Sequence, residues 1–103
     1  MVLRFTFVML VIAFNLTDAF AQADASQLKA QEAAALLAHG SIDQAILAFG
    51  EVLADASLPN DRRALILTDR GVAYARAQRF QMAIEDFNHA VRLFPEHAPA
   101  PHN

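Results

Sequence analysis

The stretch FQMAIEDFNHAVRLFP, residues 80–95, constrains the fold more than any other part of the chain. Small Ala83 and Ala90 stand seven residues apart with bulky Phe87 between them, and Pro95 ends the run. Apolar residues that recur every three or four positions share one face of a helix. Small residues on that face let a neighbouring helix approach closely, because protein interiors are close-packed. The stretch therefore predicts an amphipathic helix that packs tightly against its neighbours.

Three further helices are predicted before this one, which places the chain in the all-α class. The four predicted helices cover about residues 26–38, a segment from residue 41 to a break at residues 58–61, about residues 62–77, and about residues 80–94. Gly40 favours the end of the first helix, and Ser41 with Gln44 offers a capping box for the second. Pro59 disfavours helical geometry before the third. No run alternates between apolar and polar residues as a half-buried strand would.

The second half of the chain repeats the pattern of the first half. A shift of 38 residues places Ala45 on Ala83 and Phe49 on Phe87. The same shift superposes five further pairs of similar size and polarity: Ile42 and Phe80, Ile46 and Ile84, Leu53 and Val91, Leu36 and Tyr74, and Ala33 and Gly71. Internal repetition of this kind indicates one helix–turn–helix unit used twice.

The second unit resembles a tetratricopeptide repeat. Counted from Ala64, the residues at the characteristic positions of that family are Leu67, Gly71, Tyr74, Phe80, Ala83, Phe87, Ala90 and Pro95, and Arg70 replaces a usual leucine. The first unit resembles the same repeat through Ala33, Leu36, Gly40, Ala45 and Phe49, but has Lys29 where a large apolar residue is usual and Val52 where an alanine is usual. The repeat length of 38 residues exceeds the roughly 34 of the family. We expect the extra residues at about positions 54–60.

The resemblance implies two antiparallel helix–turn–helix units, at about residues 26–59 and 62–95, stacked as a short α-solenoid. In such a stack, small residues let the helices approach and large residues fill the space between them. The residues expected to pack the repeats are Ala33, Leu36, Ala45, Phe49, Leu67, Gly71, Tyr74, Phe80, Ala83, Phe87, Ala90 and Pro95.

The resemblance also implies a binding scaffold whose concave groove is lined by the first helix of each unit. The candidate groove residues are Ala30, Ala34, Leu37, Leu65, Thr68, Asp69, Val72 and Arg76. Chaperone-binding members of the family hold a terminal carboxylate with a Lys/Asn/Arg clamp, and this chain has Ala30, Ala34, Leu65 and Asp69 at clamp positions. Most groove residues are small or apolar. We therefore expect a protein or peptide partner that presents a helix or an extended apolar segment.

The N-terminal residues predict export. Residues 5–14, FTFVMLVIAF, form an apolar run after Arg4 and before small residues at 19–23. A bilayer span needs roughly 20 apolar residues, so this run is too short. A basic start, an apolar core and small residues are typical of a secretory signal peptide. We assign residues 1–21 to this peptide, with cleavage near Ala21 or Ala23, and expect a periplasmic or secreted protein that meets the membrane only in transit. A buried N-terminal helix and a retained membrane tether are the alternatives.

Composition excludes several classes of function. The net charge is −3, and Lys and Arg are not clustered in excess. Because binding to a polyanion normally requires such a cluster, we expect no nucleic-acid partner. The chain has no cysteine, which excludes a disulfide framework, a thiol nucleophile and a thiolate metal site.

Histidines raise the question of a metal site. Glu85 and His89 lie four residues apart on the last predicted helix, and His97 and His102 lie in the tail. Their spacing fits no established zinc pattern. We therefore predict no metal and no cofactor. A small metal-handling or enzymatic protein on a helical-hairpin scaffold is the alternative.

The acidic residues raise the question of catalysis. The candidates are Asp43, Asp69, Glu85 and Asp86. Neighbours in sequence point to different sides of a helix, so Asp69 with Arg70, and Glu85 with Asp86, do not converge. We interpret these residues as solvated charges and predict no catalytic residue.

The last helix presents more apolar surface than one neighbour can cover. Its large apolar residues are Phe80, Ile84, Val91 and Phe94. Two repeats are also fewer than the three or more that stable solenoids generally need. We expect self-association or another protein to seal this helix. The Pro-rich residues 96–103 are expected to form an extended, flexible tail.

Overall fold

The structure, a computed structural model, describes residues 25–95 of the chain. The expected signal peptide at residues 1–21 and the expected tail at residues 96–103 lie outside this range.

Four α-helices make up most of residues 25–95, and no strand occurs among them. Residues 25–38 are helical and are called α1; the next helices are α2 (Ile42–Leu53), α3 (Asn60–Arg76) and α4 (Phe80–Leu93). α3 packs against both α2 and α4. The predicted all-α class, built from helical hairpins, is confirmed.

The helix starts differ in detail from the predictions. Ser41 precedes α2 but makes no side-chain capping hydrogen bond, so the predicted capping box is wrong. Its ψ of 67° departs from the extended geometry of most capping residues, because its N–H donates to the Leu36 carbonyl at 2.9 Å and closes a tight turn. α3 begins at Asn60, two residues before the predicted start, because extended Pro59 already lies at the N-cap position.

The turns inside the two hairpins are equivalent, which confirms the predicted repetition. Gly40 has φ 85° and Gln78, 38 residues later, has φ 64°. In the first turn the N–H of Ser41 donates to the carbonyl of Leu36, and the equivalent bond of the second turn links Arg79 to Tyr74 at 2.8 Å. A left-handed residue after a helix, followed by such a backward bond, is a common helix-ending motif. Each hairpin therefore reverses through the same geometry, once with glycine and once with glutamine.

The core draws side chains from all four helices. Ala33 of α1, Phe49 of α2 and Ile66 of α3 belong to one buried cluster. A second cluster joins Ile46 of α2, Ala73 and Tyr74 of α3, and Ala83 of α4. A third joins Ala64 and Leu67 of α3 to Ala90 of α4. α3 contributes to all three clusters and is the central element of the stack.

The expected packing residues occupy different depths in this core. The buried ones are Ala33, Ala45, Phe49, Leu67, Gly71, Tyr74, Ala83 and Ala90, and the half-buried ones are Leu36 and Phe87. Phe80 and Pro95, in contrast, are exposed. Ile42, the equivalent of Phe80 in the first unit, is half-buried against the second cluster, which includes Ala73 and Tyr74 of α3. No α-helix among residues 25–95 follows α4 to cover Phe80 in the same way.

Gly71 of α3 lies directly against the Phe87 ring of α4. A Cβ atom added to Gly71 would lie 2.5 Å from the Phe87 ring, nearer than side-chain atoms approach one another. The absence of a side chain at this position is what allows the Phe87 ring to pack against the backbone of α3.

Candidate protein-binding groove

One face of α3 carries apolar side chains that the fold leaves uncovered. Leu65 is 50% exposed and Val72 is 39% exposed, although the residues that follow them, Ile66 and Ala73, are buried. Residues 65, 69, 72 and 76 follow the three- and four-residue spacing of one helix face. α3 therefore has an apolar face in the core and a second face with apolar anchors that is open.

The C-terminal part of α1 lies beside this open face. Nη1 of Arg76 donates a hydrogen bond to the Leu37 carbonyl at 3.1 Å, which links the ends of α3 and α1. Leu37 and Ala30 are half-buried and Ala34 is exposed. The eight candidate groove residues thus lie on α1 and α3, and the surface they mark is called the groove.

The remaining groove residues are polar. Thr68 is half-buried, and its hydroxyl donates to the Ala64 carbonyl at 2.8 Å within the same helix. Asp69 is exposed, yet partial desolvation by surrounding protein raises the pKa of its carboxyl group. A partner that covers Asp69 therefore has to hydrogen-bond its carboxylate or leave it at the rim.

A cavity of about 190 Å³ opens at the other end of α1 and α3. Its lining residues are Ser26, Gln27, Ala30, Val52, Asp55, Ser57, Leu58, Pro59, Arg62 and Ile66. Ala30 is also a candidate groove residue, so the cavity adjoins the groove. Its walls combine apolar side chains with a few polar groups, as in many small-ligand and peptide-anchor sites.

The connection at residues 54–59 forms one wall of this cavity and is held by hydrogen bonds. Asp55 accepts from the Ser57 hydroxyl at 2.6 Å, from the Ser57 N–H at 3.0 Å and from the Ser26 hydroxyl at 2.9 Å. These bonds lower the pKa of the Asp55 carboxyl group, those from Ser57 most strongly. Sequence reasoning missed this site. Asp followed two residues later by Ser is a local signal for such a turn.

Arg63 joins the same connection to the end of α2. Its guanidinium donates to the Leu53 carbonyl at 2.8 Å and to the Asp55 carbonyl at 2.6 Å. Carbonyls at a helix C-terminus lack partners within the helix, and a cation there is favourable. Arg63 therefore fixes the inserted residues that separate the first unit from the second.

Asp86 is not solvated, which corrects the interpretation of the acidic residues. Its side chain is 8% exposed and it accepts two hydrogen bonds from Arg70, Nε to Oδ2 at 2.7 Å and Nη2 to Oδ1 at 2.8 Å. The Arg70 guanidinium also lies 5.5 Å from the centre of the Tyr74 ring, and Asp86 raises the Arg70 pKa. Adjacent residues do point to different sides of a helix, but the missed partner lies on the facing helix. Arg70 at an expected leucine position was the available signal.

The other chemical candidates lie apart from the groove. Glu85 and His89 are exposed on α4, and residues 25–95 contain no group of three or more His, Asp or Glu side chains that could hold a metal ion. Asp43 pairs with Arg79 across the surface at 3.7 Å. His97 and His102 lie outside the described range.

None of the helices within residues 25–95 combines the length and apolar character that crossing a bilayer requires.

Comparison with known proteins gives one finding about family. The family model of the tetratricopeptide repeat matches residues 64–97. This range holds α3 and α4 and starts at the residue from which the sequence pattern was counted. No curated protein and no solved structure matches the chain.

Proposed function

We propose that the chain is an exported adaptor that binds a protein partner through the groove of α1 and α3. The match of the tetratricopeptide-repeat model to residues 64–97 supports this proposal. Tetratricopeptide repeats are in general protein-interaction modules, and stacked repeats offer extended concave surfaces for binding. The protein acts by contact and not by catalysis.

The observation that carries this proposal is the exposure of Leu65 and Val72 on α3. Covering the exposed half of each side chain contributes roughly 1 kcal/mol. Together they raise an association constant about thirtyfold, since 1.4 kcal/mol is a factor of ten. The groove thus supplies anchors, and the partner's own apolar side chains complete the contact.

The chemistry of the groove selects the kind of partner. Most of its side chains are small or apolar, Asp69 lies between the anchors Leu65 and Val72, and Arg76 lies at one end. An amphipathic helix or an extended segment with apolar residues at regular spacing matches this arrangement. A partner recognised chiefly by its terminal carboxylate fits less well, because alanine, leucine and aspartate occupy the positions of the family's clamp.

Binding to the groove is tested with a display library of random peptides and the matched variants Val72→Glu and Met82→Glu. Val72 is 39% exposed in the groove and Met82 is 42% exposed on α4, outside it. We expect the library to yield apolar-rich peptides that bind the wild type and Met82→Glu alike, and at least about tenfold more weakly to Val72→Glu. Equal binding to both variants would refute the groove as the binding surface.

Export is supported by the basic, apolar and small-residue order of residues 4–23. N-terminal sequencing of the protein recovered from expressing cells tests it. We expect a mature start at Gln22 or Asp24. A protein that still begins at Met1 would contradict cleavage and favour the membrane-tethered alternative.

A further inference from the structure

The two ends of the helical stack carry matching uncovered faces. On α4, Ile84 is 51% exposed, whereas its equivalent Ile46 on α2 is 8% exposed because α3 covers it. On α1, Leu28 is 59% exposed, whereas its equivalent Ile66 on α3 is 8% exposed against α2. Each open face therefore corresponds to one half of an interface that already exists inside the chain.

We propose that a second copy of this chain covers these faces, with α1 of one copy docked on α4 of the next as α3 docks on α2 within one copy. The two open faces have the same register as the two halves of the internal α2–α3 contact, so they are complementary to each other. This inference concerns the ends of the stack and does not depend on the groove.

The internal contact predicts which side chains meet between copies. Within one copy, Ile66 shares a buried cluster with Phe49 and Val52, and Ala73 shares one with Ile46. The equivalent contacts between copies follow from the 38-residue shift. Leu28 of one copy would pack against Phe87 and Ala90 of the next, and Ala35 would pack against Ile84. Four of the five side chains keep their class and approximate size, and Ala90, which already lies in a buried cluster with α3, is smaller than Val52.

A polar position at the middle of the contact, Arg70 beside Gly50, is also compatible. Inside the chain, Nη1 of Arg70 lies 3.9 Å from where a Cβ of Gly50 would be, so a large side chain faces no side chain. The equivalent pair between copies is Glu32 and Asn88. Glu32 is shorter than Arg70, which leaves room for Asn88 in place of Gly50. The Asn88 amide is a donor suited to the Glu32 carboxylate.

The proposed contact is head-to-tail, so it does not close after two copies. Heterologous contacts that do not close generate open chains. Addition of copies would continue the solenoid, and each added copy would bury one more Ile84 and one more Leu28. A dimer made by two α4 helices would instead be closed and would leave Leu28 uncovered.

The first test uses protein purified from cells that express the full chain, as wild type, Leu28→Glu, Ile84→Glu and the control Leu47→Glu. Leu47 is 69% exposed on α2, so the control places the same charge on a similarly open site away from both faces. We expect wild type and Leu47→Glu to sediment as a concentration-dependent series of oligomers. Leu28→Glu and Ile84→Glu should each weaken association about a hundredfold or more, because docking would bury an unpaired carboxylate.

Mixing the two blocked variants gives the decisive result. Leu28→Glu retains an intact α4 face and Ile84→Glu an intact α1 face, so together they should form a one-to-one dimer that grows no further. Since the chain has no cysteine, Ala35→Cys and Ile84→Cys proteins should also form a disulfide-linked pair on mixing. Three outcomes would each overturn the proposal. A monomeric wild type would point to cover by residues outside 25–95 or by another protein. An association defect in Ile84→Glu but not in Leu28→Glu would point to an α4–α4 dimer, and the absence of a dimer in the mixture would exclude the head-to-tail contact.

Discussion

Replacing Asp86 by alanine should destabilise the protein more than the loss of any surface ion pair. Asp86 holds the Arg70 guanidinium through two hydrogen bonds of 2.7 and 2.8 Å between α4 and α3. Breaking a buried pair by removing one partner typically costs 3–5 kcal/mol. The Arg70 side chain is 24% exposed, so water can solvate part of the freed guanidinium. We therefore expect a loss of about 2 kcal/mol in the free energy of unfolding.

The reciprocal change, Arg70→Leu, should cost more. It leaves the Asp86 carboxylate, 8% exposed, without its partner, and a cost of about 3 kcal/mol follows. Combining Arg70→Leu with Asp86→Ala removes both charges. Alanine occurs naturally at the equivalent position of the first unit, Ala48, and leucine is usual in the family where Arg70 stands. Because apolar replacements of a buried pair are often neutral, the double variant should lie within about 1 kcal/mol of wild type.

The assay is urea unfolding of the four proteins, followed by far-ultraviolet circular dichroism. The coupling free energy between the two positions should be at least about 2 kcal/mol. Asp43→Ala is the matched control, because Asp43 pairs with Arg79 at 3.7 Å on the open surface, and it should cost less than about 1 kcal/mol. Additive single effects, or an Asp86→Ala cost no larger than that of Asp43→Ala, would refute a stabilising role for the buried pair.

Three further outcomes are expected. Gly71→Ala should lower the free energy of unfolding by about 1–2 kcal/mol, because the new methyl group meets the Phe87 ring at 2.5 Å; urea unfolding that shows a gain in stability would contradict this contact. Gln78→Gly should raise the free energy of unfolding by about 0.5–1 kcal/mol, and Gly40→Gln should lower it by about 1 kcal/mol, because both positions have the left-handed backbone conformation that glycine adopts most easily. Urea unfolding that shows changes of the opposite sign would mean that backbone conformation does not determine the stability of these turns. Desolvation raises the pKa of the Asp69 carboxyl group above its ordinary 3.8. The ionised carboxylate therefore destabilises the fold at pH values above this raised pKa. The destabilisation disappears as the pH falls below the pKa that Asp69 has in the unfolded chain. Asp69→Asn should therefore be more stable than wild type at neutral pH by an amount that vanishes near about pH 3, and a difference that is constant in thermal melts across this range would exclude the titration of Asp69 as its cause.

The sequence predicted the groove residues but not the cavity that adjoins the groove. The resemblance to the tetratricopeptide repeat implied that Leu65 and Val72 lie in the groove, and the structure leaves both exposed. The adjoining cavity could not be predicted, since it depends on how Arg63 and Asp55 fold the connection at residues 54–59. Those contacts join residues whose distance in space depends on the path of the connection, which helix periodicity does not describe.

The sequence alone determined the properties that depend on local hydrogen bonding and spacing. Helix periodicity marks which face of each helix is apolar, and the 38-residue shift predicts one helix–turn–helix unit used twice. Tertiary structure alone decided how those faces are used. Ile46 and Ile84 occupy equivalent positions, yet one is buried and the other half exposed, because α3 follows α2 whereas no helix of the described range follows α4. Likewise Asp86 is buried only because the second hairpin places Arg70 opposite it, and burial of a charge depends on a partner that may be distant in sequence.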